Sequence, residues 1–309
     1  MLQNFKQKIA LQMNKEDDYR TIFERLGNKV PSNIFGRGII NPEDKEYYEF
    51  QTAKICKPED WNSQITSAIE KINKIEKVQA KEIEVVPDIV TIKDLLPAIK
   101  DISSIPVGIS YKTISPFVFD LTKYLMYPII TNSLDEFNLF LANFIELISS
   151  IPDTMLTVLD SNQIVRNIKQ DLKADYIEVF KKFHAAKKKK EQIILIIGLE
   201  NFLTELGSED IFFESMKDAE RLEKIHYVVV ETSAKMNNFT ISKWYKKYLT
   251  GETGFWLGNG VNEQYLLKSN IPNVRLSSTC GISYGYAFAK GKPYLVKILG
   301  MKESSEENE

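Results

Sequence analysis

Histidine and cysteine are close to absent from this sequence: two of each in 309 residues, His184 and His226, Cys56 and Cys280. A zinc site would need carboxylates for most of its ligands, which excludes zinc fingers, and two distant cysteines cannot staple a disulfide scaffold. Reduced thiols and a cytosolic setting are the expectation. Glycine is scarce as well, at 14 residues against an average usage of about 7%, and phosphate-cradling loops depend on glycine for close backbone approach. Neither sign of charge dominates. Forty Lys and Arg against 42 Asp and Glu leave a formal charge of -2, whereas nucleic-acid binders carry a basic excess, so no nucleic-acid partner is expected. Long apolar runs are missing too. The stretch Leu134 to Ile151 is interrupted by Asp135, Glu136 and Glu146, so it reads as a helix that does not span a bilayer. MLQNFKQKIALQMN at the start lacks the apolar segment of a secretory signal.

What is present divides into four zones. Residues 1–60 hold short alternating segments, IALQM and YYEFQTA, around a Gly-Arg-Gly turn at Gly36 to Gly38, a pattern that predicts strands and a hairpin. Residues 61–104 open on a helix reaching Lys77, with Trp61, Ile65, Ala68, Ile69, Ile72 and Ile75 on one face. A charged connector punctuated by Pro87, Pro97 and Pro106 follows, with a short helix near Ile92 to Ile99. From 105 onward IPVGIS, SPFVFDL, YPIIT, MLTVLD, IILIIGL and HYVVVET are β-branched runs of the kind buried on both faces of a parallel sheet. Amphipathic helices at Leu134 to Ser149 and Asp171 to Lys190 lie between them, which argues for a three-layer α/β domain. Met236 to Leu299 is aromatic and turn-rich, with seven glycines between Gly251 and Gly291, and predicts antiparallel strands closing the sheet edge. The domain ends at 301, and 302–309, KESSEENE, reads as a solvated acidic tail.

In a sheet of this kind nucleotides bind where a strand's carboxyl end feeds a helix. The loop to test follows YPIIT and reads Thr131, Asn132, Ser133, Leu134, Asp135, Glu136. It offers neither glycine nor lysine, and it places two carboxylates where phosphate would sit. Ser133 reads as the helix N-cap, with Asp135 and Glu136 favouring the helix dipole. The second nucleotide element is an apolar strand ending in an acid that holds magnesium. Here QIILIIGLEN puts Gly198 at that position and Glu200 two residues on. Lys187 to Lys190 read as a solvated helix end, and His184 and His226 have no catalytic neighbours at useful spacing. Trp244, Tyr245, Tyr248, Phe255, Trp256, Tyr265, Tyr284 and Tyr286 offer either a recognition surface or the packing of an edge subdomain, and packing is the expectation for most of them.

GFWLGNGVNEQYLLK at Gly254 to Lys268 and GYAFAKGKPYLVKIL at Gly285 to Leu299 resemble the end of the last ATPase module of the EssC/EccC coupling proteins of type VII secretion, members of the FtsK/SpoIIIE class. DDYRTIFERLG, PSNIFGRGII and YEFQTA between Asp17 and Ala53 resemble the close of the preceding module. IPVGIS with FVFDL resembles the first strands of the final module, and IILIIGLENFL its Walker B strand. The resemblance implies a three-layer RecA-like P-loop NTPase fold, mostly parallel at its centre with antiparallel edge strands. It implies the C-terminal piece of a membrane-anchored motor whose cytoplasmic modules work as a hexamer, this piece alone being a monomer. ATP and magnesium belong to the competent modules. Position by position, Thr131 to Glu136 stand for the Gly-Lys-Thr loop and Gly198 for the Walker B Asp, so no cofactor or metal is expected here and no catalytic residue carries over. The function implied is recruitment of small helical-hairpin substrates of the Trp-Xaa-Gly (WXG) family through their C-terminal export tails, beside neighbouring ATPase modules. A groove next to the edge strands is the expected receiving surface. The alternative is a weak ATPase in which Glu200 and the lysine run compensate.

Overall fold

The computed structural model describes residues 7–301 apart from 24, 25, 27, 28, 42–45, 54–56, 76–83, 166–169, 186–189 and 273. Cys56, Lys187 to Lys189 and the acidic tail therefore lie outside the described residues. The chain forms two compact units, Met1–Glu82 and Ile83–Glu309.

In the first unit β1 (Lys8–Leu11), β2 (Arg37–Asn41) and β3 (Tyr48–Gln51) make an antiparallel sheet in that order. Ala10 and Ile39 point to one face, because side chains alternate along a strand, and pack with Tyr19 of α1 (Glu16–Ile22), Phe23 and Leu26 into a small core. Gly36 to Gly38 are not the hairpin turn that the sequence pattern predicts. Gly38 lies inside β2, paired with both Leu11 and Phe50, where the Phe50 ring fills the space a side chain would take. α2 spans Trp61–Ile75, as its periodicity predicts, but buries none of its residues, and its apolar stripe runs from half-exposed Trp61 to Ile75.

Among its described residues the second unit is built on nine strands. α3 (Ile92–Leu95) opens it with a capping box in which Thr91 and Asp94 satisfy each other's backbone. There follow β4 (Ile105–Ser110), β5 (Ser115–Phe119), β6 (Met126–Thr131), α4 (Asn138–Ser149), β7 (Thr154–Asp160), α5 (Leu172–Ala185) and β8 (Glu191–Ile197). α6 (Leu199–Leu206), α7 (Glu209–Leu222), β9 (Ile225–Thr232), α8 (Ser233–Asn238), α9 (Lys243–Tyr248), β10 (Gly254–Leu257), β11 (Tyr284–Ala289) and β12 (Lys292–Ile298) complete it. The order is β5-β4-β12-β11-β10-β6-β9-β8-β7. The five strands from β10 to β7 run parallel, and β11, β12, β4 and β5 extend the sheet by antiparallel pairs.

Two assignments change with this topology. β4 and β5, grouped by sequence with the parallel strands, are an antiparallel hairpin, because a link of residues 111–114 is too short for a crossover of a dozen or more residues. β10, grouped with the antiparallel strands, pairs parallel to β6, since the chain between β9 and β10 carries α8 and α9 and is long enough to cross. The parallel strands owe their place to β-branched residues buried on both faces. Ile193, Leu195 and Ile197 of β8 share one core layer with Phe140, Phe144 and Leu147 of α4. Ile194 and Ile196 face the other layer, Tyr176 of α5, Phe202 of α6, Phe212 of α7 and Trp244 of α9. The fourth-zone aromatics divide accordingly. Trp244, Phe255, Trp256 and Tyr286 are core, while Tyr265 is 82% exposed.

Candidate functional site

β6 leaves the sheet toward α4 on one face, whereas β9 reaches β10 through helices on the other, so the carboxyl end of β6 is a topological switch point. Here Thr131 stands level with Thr232 of β9 and with Leu257 of β10. The chain after Thr131 folds tightly on itself. The buried Thr131 hydroxyl accepts from the Ser133 N–H at 3.2 Å and donates to the Ser133 carbonyl at 3.2 Å. Asn132 is tied sideways: its Nδ2 donates to the Asn259 carbonyl at 3.3 Å and its Oδ1 accepts from Ser233 Oγ at 2.9 Å. Asn259 in turn accepts from Trp256 Nε1 at 3.0 Å and, through Oδ1, from the Gly281 N–H at 2.8 Å.

Ser133 is not the N-cap. A 3-10 turn over Asp135–Phe137 precedes α4, which starts at Asn138 behind Phe137 with no side-chain cap. Burial decides this start: Leu134 and Phe137 are both pulled into the core, which sets the turn, and Asp135 and Glu136 are left exposed.

The loop after β8 is a separate cluster, because β9 stands between β6 and β8, which sets the two strand ends about 10 Å apart. Gly198 turns the chain in the left-handed region at φ 79°, and a side chain there would lie 2.6 Å from Asn162 and from Ser161 Oγ. Ser161 Oγ donates to the carbonyls of Ile197 and Gly198, closing the turn. Glu200 accepts from Asn238 Nδ2 at 3.2 Å and pairs with Lys235 Nζ at 3.4 Å. No hydrogen bond or ion pair among the described residues joins Glu200 to Thr131 through Glu136.

Sequence reasoning missed Glu231. It is fully buried at the end of β9, where one carboxylate oxygen accepts the Glu200 N–H at 2.9 Å and the other the Thr232 N–H at 2.7 Å. It therefore caps the N-terminus of α6, filling with its own charge the place where that helix end would attract an anion. The signal was present only as an acid closing the apolar run HYVVVE. Asp160 does the same for its own loop, accepting from the backbone of Ile164 at 3.1 Å and Val165 at 2.7 Å. Cys280 is a free thiol whose Sγ lies 3.0 Å from the Gly258 carbonyl, and burial pushes its pKa up, away from the nucleophilic thiolate. His226, near the start of β9, is buried, with Nε2 3.5 Å from Glu191 Oε2, at the opposite end of the strands from Thr131. Among the described residues no group of three or more His, Cys, Asp or Glu is arranged to hold a metal ion, and no helix is long and apolar enough to cross a membrane.

No protein-family profile matches this sequence, and no curated protein matches it. Solved structures do match the fold. EssC (ATPases 2 and 3) from Geobacillus thermodenitrificans superposes with a TM-score of 0.63 at 14% identity, covering 97% of this chain and 61% of that one. The cytoplasmic domain of the type VII secretion ATPase EccC from Thermomonospora curvata gives 0.51 at 13%, covering 89% and 35%. EccC ATPases 2 and 3 of the same organism, in complex with a signal sequence peptide, give 0.50 at 14%, covering 89% and 55%. The chain has the fold of EssC/EccC ATPase modules and spans at most about three fifths of the length of these structures.

Proposed function

We propose that this chain is a substrate-receiving, regulatory module of a type VII secretion motor, one that recruits helical-hairpin substrates of the WXG family by their C-terminal tails and does not hydrolyse ATP itself. The observation that carries the reading is the pairing of an EssC/EccC-like fold over 97% of the chain with a strand-to-helix loop at Thr131 to Ser133 that closes on itself. The signal sequence peptide held by the Thermomonospora EccC supports tail recruitment. In the full assembly the module sits on the cytoplasmic side of a membrane-anchored hexamer, next to modules that hold ATP and magnesium.

The residues after β6 do not fit a magnesium triphosphate. Backbone N–H groups must turn toward phosphate and a lysine must reach it, yet the Ser133 N–H is spent on Thr131 and the following turn exposes Asp135 and Glu136. At the Walker B position Gly198 supplies no carboxylate, and Glu200 is held by Lys235 and Asn238. Among the described residues, which leave out 187–189 of the lysine run, nothing favours the weak-ATPase alternative, so no hydrolytic step is assigned.

Calorimetry tests both halves. Cognate substrate or its tail peptide binds the purified chain, whereas millimolar ATP with magnesium releases no heat beyond dilution. Failure to bind any cognate substrate removes the recruiting role; the absence of ATP binding removes the weak-ATPase alternative, and phosphate release from ATP by the purified chain removes the non-hydrolysing half of the proposal.

A further inference from the structure

At the end of the sheet opposite Thr131, a cavity of about 330 Å³ opens between β5, the turn at Leu121–Lys123 and the tip of the β11–β12 hairpin. Its walls are rings: Phe117, Phe119, Tyr127, Phe288 and Tyr294. Phe119 stacks on Tyr127 at 4.0 Å between centroids, and Phe117 meets Tyr294 at 5.3 Å. We propose that this cavity receives a peptide segment that inserts one aromatic or apolar side chain among the rings and lays a neighbouring carboxylate on Lys290 and Lys292.

Size supports a single anchor side chain. The volume stands at the lower end of the range for small-molecule sites, too small for a nucleotide cofactor. Charge supports an acidic neighbour. Asp120, the acid on the rim, is already paired with Lys123 at 2.7 Å and bound by Thr122. Lys290 and Lys292 are exposed and have no carboxylate within ion-pair distance among the described residues. The lip is rigid. Lys290 is held at φ 51° and Gly291 at φ 72°, a two-residue turn in which asparagine and glycine are the favoured pair. Asn270 holds both turn residues, Nδ2 donating to the Lys290 carbonyl at 2.8 Å and its N–H to the Gly291 carbonyl at 2.9 Å.

Tyr127 adds ring surface to the cavity wall, where Phe119 stacks on it. The inference rests on the proposed function only for the source of the peptide, a secretion substrate's tail.

Fluorescence anisotropy on the intact chain tests it, using a labelled, end-capped synthetic peptide with a Tyr next to a Glu in an Ala/Gln background, together with versions carrying Ala for that Tyr or Lys for that Glu. Binding of the parent peptide weakens about tenfold in a Lys290→Glu/Lys292→Glu double variant and is recovered by the Lys version. Both lysines are exposed, so the variant folds, and an unchanged melt verifies it. Equal binding of the parent peptide by wild type and double variant overturns the proposal, as does indifference to the Tyr. A dimer that dissociates in the double variant, seen by sedimentation, overturns it in favour of a second copy of the chain. A substrate tail that binds the double variant as tightly as wild type removes this site and leaves the proposed function standing. Binding of the synthetic peptide without any substrate tail binding does the reverse.

Discussion

The resemblance expects an acid at the place of Gly198, so the natural experiment is to restore a side chain there, and the structure gives its cost. Gly198 and Gly207 flank α6 and both lie in the left-handed region, φ 79° and ψ 63° against φ 81° and ψ 0°. They differ in surroundings: a Cβ on Gly207 meets nothing within 4 Å, whereas one on Gly198 lies 2.6 Å from Asn162 and Ser161 Oγ. Gly207→Ala therefore bears the left-handed penalty alone, about 1–2 kcal/mol. Gly198→Ala bears the same penalty plus the displacement of Ser161, which bridges two carbonyls, and of Asn162, which accepts from Asn201. Overpacking of that kind adds about 1–3 kcal/mol. At about 2–4 °C per kcal/mol for a unit of this size, Gly198→Ala melts about 2–12 °C below Gly207→Ala. Urea denaturation at constant slope measures the same difference as free energy. Equal losses in the two variants, within about 0.5 kcal/mol, would refute the claim that Ser161 and Asn162 close this loop. Gly198→Asp inherits the larger penalty and gains no ATPase activity, because the loop after β6 is unchanged.

Three further outcomes follow from the same geometry. Glu231→Ala leaves the Glu200 and Thr232 N–H groups without their carboxylate and costs about 1–3 kcal/mol; Glu231→Gln, which keeps one acceptor, costs less, and the ordering is read from denaturation midpoints. Tyr227→Phe removes the 2.9 Å contact with the Tyr176 hydroxyl but leaves Tyr176 its bond to Ser215, so the loss stays near 0.5–1.5 kcal/mol. Burial raises the pKa of Tyr127, Tyr176 and Tyr227 above the ordinary tyrosine value. Their neutral forms are favoured only when folded, so the unfolded chain loses protons first once pH passes about 10. Their contribution is full below that pH and declines above it; unfolding free energies that stay flat from pH 9 to well above 10 would contradict the assignment.

Much of the fold was legible because its signals are local. Runs such as IILII and YVVV are rich in β-branched residues and carry no charge, so they favour strands, and the phase of Phe140, Phe144 and Leu147 makes a helix with one apolar face. Strand direction was not legible. It depends on the length and content of each connection, which is why β4 with β5 and β10 exchanged the roles expected of them. The start of α4 was misplaced for a related reason: Ser133 has the residue type of a cap, but burial of Leu134 and Phe137 outweighs one capping hydrogen bond.

The sequence by itself determined what the loop after β6 lacks, since glycine and lysine are either there or not, and it determined the strands that frame that loop. Only the tertiary structure decided what occupies the space. The Thr131 hydroxyl turns back on Ser133, Asn132 is fastened to Ser233 and Asn259, and Glu231 reaches the backbone of Glu200 from a different strand. Those partners lie up to 127 positions apart along the chain. Hydrophobic periodicity acts within a helix turn or a strand, whereas a hydrogen bond across strand ends exists only once the sheet has set their order and register.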